Sequence, residues 1–108
     1  MILYFMLLPL AIIALPEVDL LIAAEKGNIA DAAAAIKAGA DVNASTPISE
    51  KTALMMAAEN GHSAIVKLLI GAKADVNARE KDGTTALKYA TANGHKEIIR
   101  MLIDAGAK

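Results

Sequence analysis

The sequence predicts an all-α fold, a solenoid of stacked helix-turn-helix units with projecting loops, preceded by an apolar N-terminal segment. Two observations predict it. First, the chain repeats itself: at an offset of 33, residues 52–75 match residues 85–108 at 12 of 24 positions, and at an offset of 34, residues 19–44 match residues 53–78 at 13 of 26. A fixed period near 33 means units that bury their apolar faces only against neighbours. Second, aromatic residues make up 3% of the chain while alanine, leucine, isoleucine, valine and methionine abound, a composition suited to closely packed helices.

Taken in order, residues 1–15 hold 14 apolar residues, with only Pro9 between them. The run is short for a membrane span, which needs about 20 residues, and has the length of a signal-peptide core. It has no Lys or Arg before it and no Ala-x-Ala site. The expectation is export, or anchoring at the outer face of a bacterial cytoplasmic membrane with contact through residues 1–15. A run buried as an N-terminal cap would leave the chain cytoplasmic. We set the boundary at residue 16 and divide residues 17–108 into repeats of 17–44, 45–78 and 79–108.

Residues 17–27 read as a first helix, with Leu20, Ala23 and Ala24 on one face and Gly27 as a left-handed stop. Residues 28–38 read as its partner. That helix has Asp31, Ala32, Ala34 and Ala35 where the middle unit has Ile65, Val66, Leu68 and Leu69, so it has little side chain to bury on its outer side, as suits a terminal unit. Asp41-Val42-Asn43 should form an extended turn in which Asp and Asn side chains bond nearby amides. The stretch STPISEK (45–51) holds the extra residue that makes this spacing 34. Thr52 and Thr85 are placed to cap the first helices of the next two units. Asn60-Gly61 and Asn93-Gly94 end those helices. Residues 63–70 and 96–103 form the second helices, with Lys67 and Arg100 pointing outward. Asp82-Gly83 suits the tip of a polar hairpin over residues 78–84.

These residues resemble the ankyrin repeat. The likeness rests on Thr-Ala-Leu at 52–54 and 85–87, Ala57-Ala58, Gly61-His62, Gly94-His95, Ile65-Val66-x-Leu68-Leu69, and Ala-Asp-Val-Asn-Ala at 40–44 and 74–78. It covers residues 19–108 as three units in phase. Ala53 and Ala86 stand where the family has Pro, and Met55 and Lys88 stand where it has a His that bonds across to the next repeat. The resemblance implies a curved stack whose concave face, built from the first helices and the loops, binds another protein without catalysis.

Charge and chemistry agree with a binding role. Net charge is −1, which gives no pull toward nucleic acid. The charge is uneven: −3 over residues 17–44, 0 over 45–78 and +2 over 79–108. The chain has no cysteine, and its serines have no neighbouring base to activate them. His62 and His95 occupy equivalent positions about 10 Å apart, the spacing of packed helices, too far to share one metal at about 2 Å. They read as turn residues, and no cofactor is expected. The surface expected to meet a protein partner comprises Met55, Glu59, Asn60, Arg79, Lys81, Asp82, Thr84, Lys88 and Asn93. Met56, matched by Tyr89, is expected to fill the core, and Met55, matched by Lys88, to offer a soft contact. The last helix presents Ile98, Ile99, Met101, Leu102 and Ile103, which implies self-association through that end or continuation into a longer solenoid.

Overall fold

The structure is a computed structural model that describes residues 15–108. Six helices pair in sequence: α1 (Pro16–Lys26) with α2 (Ile29–Lys37), α3 (Ala53–Asn60) with α4 (Ser63–Gly71), and α5 (Ala86–Ala92) with α6 (Lys96–Asp104). The first helices stack α1 on α3 on α5, and the second helices stack α2 on α4 on α6. The predicted ends hold to within a residue or two. Among the described residues no helix is long and apolar enough to cross a membrane, and the predictions for the apolar run fall outside the described residues except for Leu15.

Local chemistry explains each boundary. Pro16 occupies the first turn of α1, where its missing N–H costs nothing, and Gly27 closes the helix at φ +83°. The Asn28 side chain accepts from the Asp31 amide at 3.0 Å to start α2. The Thr52 and Thr85 hydroxyls each accept from the third residue of their helix, both at 3.3 Å. Alanine needs no proline to begin a helix once the hydroxyl has satisfied a free amide.

The core is one continuous seam. Ala23, Ala24, Ala57, Ala58 and Ala90 are buried between the first helices, which lets their backbones approach. Leu20, Leu54, Ile65, Val66, Leu69, Ile98 and Leu102 fill the space between first and second helices. The last helix therefore exposes less than its sequence suggests. Ile98 and Leu102 face inward, Ile99 and Met101 are half-buried, and Ile103 alone is strongly exposed, at 53%.

Polar joints fix one unit to the next. The Nε2 of His62 donates to the Glu25 carbonyl, and that of His95 to the Glu59 carbonyl, both at 3.0 Å. Each imidazole lies over a glycine of the preceding unit. A Cβ on Gly27 would meet the His62 ring at 2.6 Å, and one on Gly61 would meet His95 at 2.9 Å. These two bonds tie each repeat to the one before it. A second set of joints joins the loops. Asp41 and Asp75 each accept from the amide two residues on, both at 2.9 Å. The Asn43 side chain then accepts from the Asp75 amide at 2.7 Å, and Asn77 from the Lys108 amide at 2.9 Å.

Candidate interaction surface

Two loops project beside one another. In the first, Ser45 and Thr52 form an antiparallel bridge, the Thr46 amide donates to the Lys51 carbonyl at 3.0 Å, and the hydroxyls of Thr46 and Ser49 lie 2.7 Å apart. Glu50 turns the chain at φ +62°. In the second, the Glu80 amide donates to the Thr84 carbonyl at 3.0 Å, and the Gly83 amide to the Glu80 carbonyl at 2.8 Å. Hydrogen bonds from Thr84, including its amide at 3.0 Å, hold the Asp82 carboxyl below the usual range. The Lys81 amide donates to the Ser49 carbonyl at 2.9 Å and ties the loops together.

Behind the tips lies a polar network on α3 and α5. Lys51 pairs with Glu59 and holds its ammonium 4.5 Å from the centre of the Tyr89 ring. The Tyr89 hydroxyl donates to Glu80. Burial first, and the Glu80 carboxylate second, push the Tyr89 phenol well above its ordinary value.

The predicted residues divide into three groups. Arg79, Lys81, Asp82 and Lys88 are exposed, with Thr84 half-buried among them. The Lys88 ammonium is near enough to help keep Asp82 ionised. Glu59 is half-buried in the network, while Asn60 and Asn93 sit at the far ends of α3 and α5 and donate to their own helices' carbonyls at 3.0 and 2.9 Å. Met55 is a correction. It is 1% exposed, and its sulfur accepts from the Thr52 amide at 3.4 Å. The middle unit is covered on both sides, which buries a position that the last unit leaves open at Lys88.

Sequence reasoning missed Ile48, the most exposed large apolar residue described, at 84%. Its signal was the irregular stretch 45–51, recognised as a departure but not as the carrier of an apolar tip. Lys51, Glu80 and the Tyr89 hydroxyl were missed as well, because their association spans 38 residues and leaves no local pattern.

Residues 20–108 match the family model for ankyrin repeats in three copies. The chain belongs to the ankyrin repeat family. No individually curated protein matches it. Ankyrin repeats generally serve as non-enzymatic modules for protein–protein interaction.

Proposed function

We propose that this ankyrin domain binds a protein partner through its two loop tips and the adjoining first-helix face, with Ile48 as the apolar anchor. The observation that supports this reading is the exposure of Ile48 on a loop whose backbone is held by the Ser45–Thr52 bridge and by Lys81. An isoleucine presented to water on an ordered turn is prepaid for binding, because little entropy remains to be lost. Burying it is worth about 1.5–3 kcal/mol. Arg79, Lys81, Asp82 and Lys88 supply a polar rim around it, the arrangement in which a few central residues carry most of the affinity.

The test compares Ile48→Asp with Ile103→Asp, on the last helix, in affinity capture followed by binding measurements on the captured protein. Ile48→Asp should weaken binding about tenfold or more, and Ile103→Asp should not, with both melting as the parent does. Equal binding by the parent and Ile48→Asp would remove the anchor from the proposal.

A second reading is favoured by the other end of the stack. Gly94 has the left-handed conformation of Gly27 and Gly61, but among the described residues nothing beyond its own chain neighbours lies within 4 Å of where its Cβ would be, and Ile103 is exposed on the helix that follows. In this reading copies self-associate through the last unit. Sedimentation over a wide concentration range tests it: a mass that stays at one chain rejects it.

A further inference from the structure

One side chain reaches both projecting loops. Tyr89 stands half-buried on α5, packed against the core. Its ring face carries the Lys51 ammonium, and its hydroxyl donates to the Glu80 carboxylate. Lys51 closes the first loop and Glu80 lies at the start of the second. Both contacts involve a charged group, a cation over a ring and an ionised acceptor, and such contacts are stronger than neutral ones. Burial and the Glu80 carboxylate hold the phenol above its ordinary value, so the donor keeps its proton at neutral pH.

From each of these two residues the backbone leads to Ile48. Lys81, next to Glu80, donates its amide to the Ser49 carbonyl at 2.9 Å, and Ser49 adjoins Ile48. On the other side, the Lys51 carbonyl accepts from the Thr46 amide at 3.0 Å, and the Lys51 amide donates to the Thr46 hydroxyl at 3.1 Å. That hydroxyl lies 2.7 Å from the hydroxyl of Ser49. Pro47, between Thr46 and Ile48, has its φ fixed by its own ring. Ile48 therefore sits on a turn pinned at Thr46, Ser49 and Lys51. Met56, the counterpart of Tyr89 in the middle unit, has no hydroxyl, so the first loop borrows this support from the neighbouring unit.

We propose that Tyr89 is the positioning residue for Ile48: its ring holds Lys51, its hydroxyl holds Glu80, and together they lock the two loops in one register. The proposal rests on the reading of Ile48 as the anchor, and it deepens that reading by naming what keeps the anchor in place. Tyr89 acts from beneath the loops and need not touch the partner. Without the clamp the loops would have to be ordered at the moment of binding, a cost that preorganisation removes. Glu59 serves the same end from α3, since its pairing with Lys51 keeps the ammonium over the ring.

Hydrogen exchange at single amides tests the clamp in the full-length protein with no partner present, so its outcome is separate from that of the Ile48→Asp binding test. The Thr46 and Lys81 amides report the two loops, and the amides of the buried Val66 and Leu102 report the core. Tyr89→Phe keeps a ring under Lys51 and removes only the bond to Glu80, and Glu80→Ala removes the same bond from its other side. Each should speed exchange at Thr46 and Lys81 by roughly tenfold while the core amides keep their rates. The double variant should do no more than either alone, because both changes break one bond. Lys51→Met, which takes the charge off the ring, should speed the same two amides. Unchanged loop rates in Tyr89→Phe and Glu80→Ala overturn the proposal. So does a rise shared equally by loops and core, which would make Tyr89 a matter of overall stability. A rise at Lys81 with none at Thr46 overturns it as well, because the loops would then move separately.

Discussion

A single imidazole makes each joint between repeats, and its effect can be read at one residue. His95→Ala removes the bond to the Glu59 carbonyl and leaves the space above Gly61 empty. We expect a loss of about 1–2 kcal/mol, seen in urea unfolding as a lower midpoint. The carbonyl can only accept, so Nε2 must carry the proton in this joint. Tyr89 gives a second test at this scale, one of pH. Its phenol is held neutral in the folded protein by burial and by donation to Glu80, whereas the unfolded chain ionises near the ordinary 10.0. Folding therefore keeps a proton that unfolding releases. The contribution is complete below pH 10.0 and is lost as the pH rises toward the folded value. An absorbance titration of the Tyr4→Phe protein should place Tyr89 above 10.0, with Glu80→Gln bringing it down.

At the scale of the element, the helices are short, seven to eleven residues, below the length at which isolated helices are stable in water. Their ends therefore matter. Thr52→Ala removes the acceptor for the Met55 amide in a buried setting, and Thr85→Ala does the same where the residue is half-buried. Each should cost about 1 kcal/mol, the first more than the second, which parallel urea melts would show. An equal effect would mean that burial adds nothing to the cap. These caps were plain in the sequence, because Thr-Ala-Leu recurs at a fixed offset and the hydroxyl's role is local. The fate of Met55 was not. Its polar counterpart Lys88 suggested an exposed position, and only the stacking of α3 between α1 and α5 shows that the two environments differ.

Across the whole molecule, the period, the glycine stops and the two faces of each helix pair made the stack legible, since each is set by residues within one unit. The proposed interaction surface was legible in part. Asp82, Thr84 and Lys88 do lie close together, because Thr84 bonds the Asp82 carboxyl and the Lys88 charge reaches it. Ile48 and the Lys51–Tyr89–Glu80 association were hidden, since they arise from neighbouring units placed side by side. The last helix was also overread: periodicity marks an apolar residue but cannot say which of five such residues points inward, and Ile98 and Leu102 do.

The histidine-over-glycine joint has a bearing on how such a chain could grow. Residues 62–94 begin with the histidine that fits the unit before and end with a glycine in the same backbone state as the one it sits upon. A tandem duplication of that segment would create a unit already matched at both of its borders, with no interface to be invented. Duplicating the first unit would not, because Asn28 would then stand at an internal border in place of the histidine. Copy number in this chain is thus open to change from the middle and closed to change from its beginning.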